Sequence, residues 1–377
     1  MNLRRVLILA DESADWLIAG LRQLERLALS IDEFAVDNDE KAPVVVCIWW
    51  RPDLDESQRR VPLHPRLTHL AFTTEPSAEP YDLVVSTRLF LYRKAIRVLI
   101  ESRRPSAAQP ASWENHFSSA EPAPSVRPRV WEWVRDAAET ERIEAEFLRA
   151  SGKSQDGFVS RHLNRPISRA VTRFLLRHPI TPNAWTWWLA PVPLIGALIM
   201  ARGSYWSFVW GLVLFQVFSV LDGCDGEIAR AKFMESESGR KLDDLFDVLS
   251  NVFLAVGLGV GLGRASSPGW LFVAEGLTTA LLIVINECWL AKQEPGSPRA
   301  EPHSLGQTLY PRHRQMIARS GLLKFGEGFA AGLIQLTKRD VAVLFFVVLT
   351  LIGWPTLILH LLFAVTAASL VLTFRAR

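Results

Sequence analysis

A charged stretch between apolar segments, residues 222 to 247, holds the side chains best suited to chemistry. Asp222 and Asp225 stand at i and i+3, and Gly226 and Ala229 follow at i+4 and i+7. These four residues therefore share one face of an α-helix. Gly226 and Ala229 lack the bulk that would keep a ribose or phosphate group away from the helix backbone. The spacing predicts carboxylates beside an approachable backbone.

The next helix is predicted to present carboxylates as well. Gly239, Asp243 and Asp247 stand at i, i+4 and i+8, again on one helical face. Carboxylates that converge from two helices repel one another and lose hydration, so a hard divalent cation such as Mg²⁺ or Mn²⁺ is the expected counter-charge. Cysteine and histidine are absent from this ligand set, which disfavours zinc. The predicted metal ligands are Asp222, Asp225, Asp243 and Asp247.

The order of these residues, D-x2-D-G-x2-A-R-x8-G-x3-D-x3-D, resembles the signature of the CDP-alcohol phosphatidyltransferases, and all eight positions are filled. The resemblance implies that the first three aspartates bind two metal ions that clamp the diphosphate of a CDP-linked alcohol. It implies that Asp247 is the general base, and that the nucleotide is bound at Gly226, Ala229, Arg230 and Gly239. From its charge alone, Arg230 is expected either to bind a phosphate oxygen or to form an ion pair with one of the aspartates. The alternative is a solvated acidic linker between two membrane helices.

The reaction that this resemblance implies is transfer of a substituted phosphate group from a CDP-linked alcohol donor to an alcohol or polyol-phosphate acceptor. CMP is released, and the product belongs to phospholipid or polyol-phosphodiester biosynthesis. The sequence identifies neither donor nor acceptor. Members of the family commonly dimerise through membrane helices, so the resemblance predicts a homodimer. Two alternatives stay open: a bifunctional enzyme whose N-terminal domain also makes the donor, and a non-enzymatic membrane protein that binds a cation.

The elements that must position these residues are predicted to be membrane helices. Hydrophobic residues make up 49% of the chain, which contains 14 Trp. From Ile180 onward, apolar runs of roughly 20 residues recur, the length that crosses a bilayer. We therefore predict an α-helical integral membrane domain over residues 182–377, preceded by a small cytoplasmic α/β domain. The six expected transmembrane helices are 183–201, 205–229, 242–262, 269–291, 340–354 and 356–373.

The distribution of charge predicts the orientation in the membrane. Basic residues cluster before the first span and between the second and third spans. The positive-inside rule then places both termini and the active site in the cytoplasm. The net charge of +3 is small, so anionic membrane lipids explain the basic segments and no nucleic-acid partner is expected. Cys47, Cys224 and Cys288 are widely spaced and indicate unpaired thiols of a reducing compartment.

Residues 1–147 alternate between strand-like and helix-like patterns, which predicts an α/β domain. Expected strands are Arg5–Ala10, Pro43–Trp50 and Tyr81–Ser86, with a helix over Ala14–Ala28. The pattern resembles the sugar-phosphate cytidylyltransferase domain that precedes some inositol-phosphate-transferring members of the family. After the first strand, Ala10–Asp15 offers carboxylates, whereas a phosphate cradle needs exposed amides and positive charge. We predict a degenerate, structural or regulatory domain.

Residues 148–181 are predicted to form a juxtamembrane amphipathic segment. Part of this segment resembles the one that joins the two domains in the inositol-phosphate-transferring members. Its apolar stripe is Ile167, Val171, Phe174 and Leu175, with arginines reaching phosphate head groups at the membrane surface.

Two further pairs of residues are candidates for substrate contact. Asn183 and Thr186 resemble the P-N-x-x-T start of the family's first span, which lies near the nucleotide. The alternative is an ordinary helix start, with a Thr181 cap before Pro182. Lys338 and Arg339, at the start of the fifth span, resemble a family feature. Basic residues at that depth are candidates to receive the phosphate of an acceptor, and the alternative is that they are positive-inside anchors.

Overall fold

The computed structural model describes residues 3–38, 42–77, 79–93, 95–102, 112–121, 130–151, 158–292 and 339–375. The chain divides into two compact units. The α/β unit contains Met1–Ser151, Leu176–His178 and Arg230–Phe233. The helical unit contains Gly152–Leu175, Pro179–Ala229 and Met234–Arg377. The domain boundaries at residues 147 and 181 stay predictions.

The α/β unit is built on a parallel sheet of four strands, in the order β5-β4-β1-β6. Its central strand β1 pairs on both sides, and its residues from Val6 to Ala10 are fully buried. Continuous apolar runs of this kind are typical of strands covered on both faces. The predicted α/β fold is confirmed. The strands are β1 (Arg5–Ala10), β2 (Leu17–Ile18), β3 (Leu21–Arg22), β4 (Val44–Trp50), β5 (Leu70–Thr73), β6 (Leu83–Ser86), β7 (Leu89–Leu91) and β8 (Trp131–Trp133).

The helix predicted at Ala14–Ala28 was placed too early, because the helix α1 runs from Gln23 to Asp37. Asp11 caps a short 3-10 turn at Glu12–Asp15. A two-stranded hairpin follows, and its turn residues Ala19 and Gly20 both have positive φ. Left-handed backbone cannot continue a helix, so the helix starts only after the hairpin. The other helices of this unit are α2 (Ala95–Ser102), α3 (Trp113–Ala120) and α4 (Thr140–Ala150).

Arg26 on α1 is a fully buried cation of the α/β unit. Its Nη2 donates to the carbonyl oxygens of Ile18, at 2.7 Å, and Ala231, at 3.1 Å. Its guanidinium lies 5.0 Å from the centre of the Phe147 ring. Burial lowers the pKa of Arg26 to about 9, so the side chain remains charged at neutral pH. The charge is held by carbonyl dipoles and an aromatic face.

The helical unit consists of one amphipathic helix and a set of apolar helices. Its buried core is formed by leucines, phenylalanines and other apolar residues from several of these helices. The helices are α5 (Arg165–Leu176), α6 (Pro182–Leu189), α7 (Pro191–Met200), α8 (Tyr205–Ala231), α9 (Glu237–Ala265), α10 (Trp270–Lys292), α11 (Arg339–Leu351) and α12 (Pro355–Arg375).

Three of these helices, α8, α9 and α10, are long and apolar enough to cross a membrane, and a shorter apolar stretch lies at Pro355–Val371. The expected first span, 183–201, is instead two helices that meet at Ala190. Pro191 explains the break, because it has no amide hydrogen to donate to the preceding turn, although Ala190 itself keeps helical dihedral angles. The mostly helical architecture is confirmed in its coarse form.

Close packing between α9 and its neighbours depends on glycine. A Cβ placed on Gly259 would lie 2.9 Å from the Cα of Gly276 on α10. A Cβ on Gly257 would lie 2.8 Å from the Cα of Ala197 on α7. Small residues let apolar helices approach closely, which is how membrane helices gain packing energy. This packing fixes the helix that carries Asp243 and Asp247.

Candidate functional site

Two consecutive helices carry the aspartates of the signature. Asp222 and Asp225 lie near the C-terminal end of α8, and Asp243 and Asp247 lie in the first three turns of α9. Ser236 caps α9 by accepting a hydrogen bond from the amide of Gly239 at 3.1 Å. The turn between the helices contains Phe233 with a φ of 55°.

Three of the four predicted ligands come together. Carboxylate oxygens of Asp222, Asp243 and Asp247 lie within 4.8 Å of one another, and all three residues are half-buried. Carboxylate oxygens at this spacing are the donor set that Mg²⁺ and Mn²⁺ prefer. The chemistry of the ligands therefore fits a divalent cation held between α8 and α9.

Asp225 makes a different contact, with α6. Its Oδ2 accepts a hydrogen bond from the Thr186 hydroxyl at 2.8 Å, and Thr186 is buried. This contact orients the Asp225 carboxylate. Asp225 is absent from the group of three, so its role as a ligand stays a prediction.

α6 also approaches α9 beside the aspartates. A Cβ on Gly239 would lie 3.0 Å from the amide oxygen of Asn183, so the glycine leaves room for that side chain. Thr181 caps α6 by accepting from the amide of Ala184 at 3.3 Å, and Pro182 follows as the first helical residue. The capping interpretation of this segment is confirmed, and nucleotide binding by Asn183 and Thr186 stays a prediction.

Arg339, at the start of α11, lies against the cluster of three aspartates. Its Nη1 forms an ion pair with Asp247 and lies 3.7 Å from Oδ2 of Asp222. The guanidinium also stacks over the Phe218 ring at 5.0 Å. A cation beside Asp247 is well placed to meet an anionic group that approaches this carboxylate. Lys338, the other predicted acceptor contact, lies outside the described residues.

The remaining predicted nucleotide contacts lie on α8 after Asp225. Gly226, Ala229 and Arg230 are each half-buried. The amide of Gly226 donates to the Asp225 carboxylate at 2.5 Å, and the carbonyl of Arg230 accepts from Nη1 of Arg93 at 3.0 Å. Nucleotide binding by these three residues stays a prediction.

Sequence reasoning missed a buried polar cluster behind the aspartates. Glu227 on α8 is 1% exposed and accepts hydrogen bonds from three residues of α5. These bonds come from Nη1 of Arg165 at 3.0 Å, Oγ of Ser168 at 2.9 Å and Oγ1 of Thr172 at 2.7 Å. The spacing i, i+3 and i+7 of the three donors was the available signal.

The juxtamembrane helix therefore has two distinct faces. Ile167 and Phe174 are 45% and 61% exposed, as an interfacial stripe requires, but Leu175 is buried. Arg165, expected with its neighbours to reach lipid head groups, is instead buried against Glu227. A nearby carboxylate offers a buried arginine a stronger partner than a distant head group, which explains the difference.

Long apolar helices that bring three aspartates together are typical of an integral membrane protein with a cation-binding site. The CDP-alcohol phosphatidyltransferase family matches residues 180–374. The chain belongs to this family, and the predicted resemblance is confirmed.

Individual relatives carry more specific names. The chain is 36% identical to a bifunctional IPC transferase and DIPP synthase of Thermococcus kodakarensis, over 38% of this chain and 32% of the relative. A protein of the same name from Archaeoglobus fulgidus is 32% identical, over 36% of this chain and 27% of the relative. Cholinephosphotransferase 1 of Mus musculus is 28% identical, over 29% of this chain and 36% of the relative. The matched regions span about a third of the length of these curated relatives.

Proposed function

We propose that this protein transfers a substituted phosphate group from a CDP-linked alcohol to an acceptor hydroxyl and releases CMP. The observation that carries the proposal is the convergence of Asp222, Asp243 and Asp247 within 4.8 Å inside a region that matches the family. Asp225 completes the proposed ligand set, with its carboxylate oriented by the hydrogen bond that Oδ2 accepts from Thr186. The proposed cofactor is Mg²⁺ or Mn²⁺, with two ions.

The aspartates and Arg339 are proposed to have different roles in the reaction. The acceptor oxygen bonds to the β-phosphorus of the donor, the bond from that phosphorus to the bridging oxygen breaks, and CMP departs with that oxygen. Asp247 accepts the proton of the attacking hydroxyl. Bound divalent ions supply charge neutralisation at the diphosphate. Asp222, Asp225 and Asp243 would hold them, and the second carboxylate oxygen of Asp247 would complete the ligand set.

Arg339 is proposed to receive the anionic group of the acceptor. Its guanidinium already contacts Asp247, so a phosphate bound to Arg339 brings a hydroxyl on the same molecule close to the base. A planar guanidinium binds phosphate with two parallel hydrogen bonds, which fixes orientation as well as position. The names of the bifunctional relatives favour a phosphorylated polyol acceptor of the inositol-phosphate type.

The topology follows the distribution of charge. We propose six spans, the acidic site and both termini in the cytoplasm, and a homodimer in contact with membrane lipids. The described helices supply three clear spans and one shorter apolar helix. Residues 1–147, 148–181 and 182–377 are the proposed cytoplasmic, juxtamembrane and membrane parts.

The α/β unit is not proposed to make the donor. The loop after β1 carries Asp11 and Glu12, which form ion pairs with Arg88 at 2.6 and 2.5 Å. A triphosphate would need positive charge and open amides at this position. We expect no release of pyrophosphate from CTP with any sugar phosphate. Pyrophosphate release that Asp11→Asn abolishes would establish the bifunctional alternative instead.

CMP release by the purified protein tests the proposed transfer. The assay pairs CDP-diacylglycerol, CDP-inositol and CDP-glycerol with polyol phosphates and lipid acceptors, in Mg²⁺ or Mn²⁺. Metal-dependent CMP release that Asp247→Asn eliminates is the expected result. Folded protein that binds Mn²⁺ but releases no CMP with any pair would favour a non-enzymatic cation-binding protein.

A further inference from the structure

Glu227 occupies the opposite side of α8 from the aspartates of the site. With 3.6 residues per turn, Glu227 lies about 170° around the helix from the midpoint of Asp222 and Asp225. It is 1% exposed, so it meets α5 in the protein interior. The two sides of α8 therefore have separate polar partners.

The contact between Glu227 and α5 is dense. Its Oε1 accepts from Arg165 and Ser168, and its Oε2 accepts from Thr172. These donors are 7%, 1% and 0% exposed. Gly223 permits the approach, since a Cβ there would lie 3.0 Å from Nη1 of Arg165. Both carboxylate oxygens are thus fixed in direction.

A buried ion pair contributes little to stability compared with apolar side chains of similar size, because both charges lose hydration. Its clearer consequence is orientation, since it excludes alternative packings of the two helices. Side chains reach about 5 to 6 Å from a helix axis, so rotating α8 by about 20° moves a carboxylate by about 2 Å. That displacement is large beside the 4.8 Å that encloses Asp222, Asp243 and Asp247.

We infer that Glu227 is a positioning residue that sets the rotation of α8 through Arg165, Ser168 and Thr172, and so holds Asp222 in register with Asp243 and Asp247. The inference rests on the proposed function, because it assumes that these aspartates bind metal. Glu227 touches no substrate. It acts on the site only through the helix.

The amphipathic helix gains a second role from this contact. Its polar face holds Glu227, while Ile167 and Phe174 on the other face are exposed. α5 therefore connects a surface suited to the membrane interface with the back of the helix that carries Asp222.

Mn²⁺ affinity, measured by electron paramagnetic resonance of the free ion, tests the inference without any need for turnover. Glu227→Gln keeps the shape but removes the charge, and we expect Mn²⁺ to bind at least about tenfold more weakly, as for other residues that orient metal ligands. Thr172→Val removes one hydrogen bond, and we expect a two- to tenfold loss, by about 0.5 to 1.5 kcal/mol. Thr172→Val also decides the matter if Glu227→Gln fails to fold.

Leu359→Ala is the matched control. Leu359 is fully buried in the core of the helical unit on α12, so its truncation lowers stability but removes none of the hydrogen bonds that Glu227 accepts. We expect its Mn²⁺ affinity to equal that of the wild type. Wild-type affinity in Glu227→Gln, or an equal loss in Leu359→Ala, would overturn the inference.

Asp243→Asn separates this inference from the proposed function. If the wild type and Asp243→Asn bind Mn²⁺ equally, the proposed metal site is wrong. If Asp243→Asn loses Mn²⁺ while Glu227→Gln retains it, the metal site stands and only the positioning role fails.

Discussion

Two groups of carboxylates in this chain have opposite surroundings. In the α/β unit, Asp11 and Glu12 are each held by Arg88, and Asp11 is 1% exposed. In the helical unit, Asp222, Asp243 and Asp247 converge on one another and are half-buried, and one arginine, Arg339, pairs with the first and the last of them. In the first arrangement, the negative charge is neutralised by an arginine. The second concentrates like charge, which is the condition under which a divalent cation binds.

Two positions in the chain could be expected to bind a phosphate: the loop after β1 and the acidic site of the helical unit. The end of a parallel strand often opens onto a phosphate site, yet here the loop after β1 is occupied by Arg88 and its partners. The acidic site instead presents a guanidinium, Arg339, next to Asp247. Phosphate chemistry is therefore proposed for the helical unit.

The largest expected effect is loss of turnover in Asp243→Asn. The substitution keeps the shape but removes one carboxylate from the group of three, so metal-dependent CMP release should fall to background. Asp244→Asn is the control, because Asp244 is exposed and pairs with Arg240 at 3.0 Å. Equal activity in the two variants would contradict the assignment.

In the α/β unit, we expect a substitution to lower stability and to leave catalysis unchanged. Asp11→Asn breaks a buried ion pair and should reduce the free energy of unfolding of this unit by about 3 kcal/mol, with catalysis per folded molecule unchanged. Thermal unfolding followed by circular dichroism measures the loss. Asp53→Asn, which breaks the exposed pair with Arg51, should cost no more than about 1 kcal/mol. A stable Asp11→Asn protein would remove the distinction between the two groups.

A smaller effect is expected at Arg339. Arg339→Gln removes a charge-assisted hydrogen bond to the acceptor, worth about 1.5 to 3 kcal/mol. The KM for a phosphorylated acceptor should rise about tenfold or more, with the KM for the CDP-linked donor unchanged. Arg240→Gln, at an exposed arginine, controls for the loss of positive charge. A rise in the donor KM alone would place Arg339 at the nucleotide instead.

The smallest effect concerns Thr186. Thr186→Val removes the hydrogen bond to Asp225 and should lower kcat/KM about fivefold, for about 1 kcal/mol. Thr350→Val is a matched control, since the Thr350 hydroxyl donates within its own helix, to the carbonyl of Phe346. Steady-state CMP release compares them. No difference between the two variants would mean that Asp225 needs no support from α6.

Periodicity predicted much of this molecule correctly. The strands β1, β4 and β6 fall inside the predicted apolar runs, because buried parallel strands are continuous in hydrophobicity. The helical spacing of Asp243 and Asp247 correctly placed both carboxylates on one face of α9, where they join Asp222, since the face of a helix follows directly from 3.6 residues per turn. Asp225, predicted to share a face with Asp222, is absent from this group.

Tertiary contacts were beyond the reach of periodicity. The start of α1 depends on left-handed backbone at Ala19 and Gly20, which helical propensity does not report. The partner of Arg165 lies 62 residues away in sequence at Glu227, so an arginine that resembled a lipid contact proved to be buried. Spacing shows which residues share a face, and only packing shows what that face meets.

The converging carboxylates are proposed to bind the metal on which CMP release depends. The most direct measurement titrates Mn²⁺ into purified wild type and Asp243→Asn, and follows ion binding and CMP release from a CDP-linked donor in the same samples. Both signals should saturate together in the wild type and vanish together in the variant. CMP release that persists in the variant, or in wild type stripped of divalent ions, would contradict this proposal.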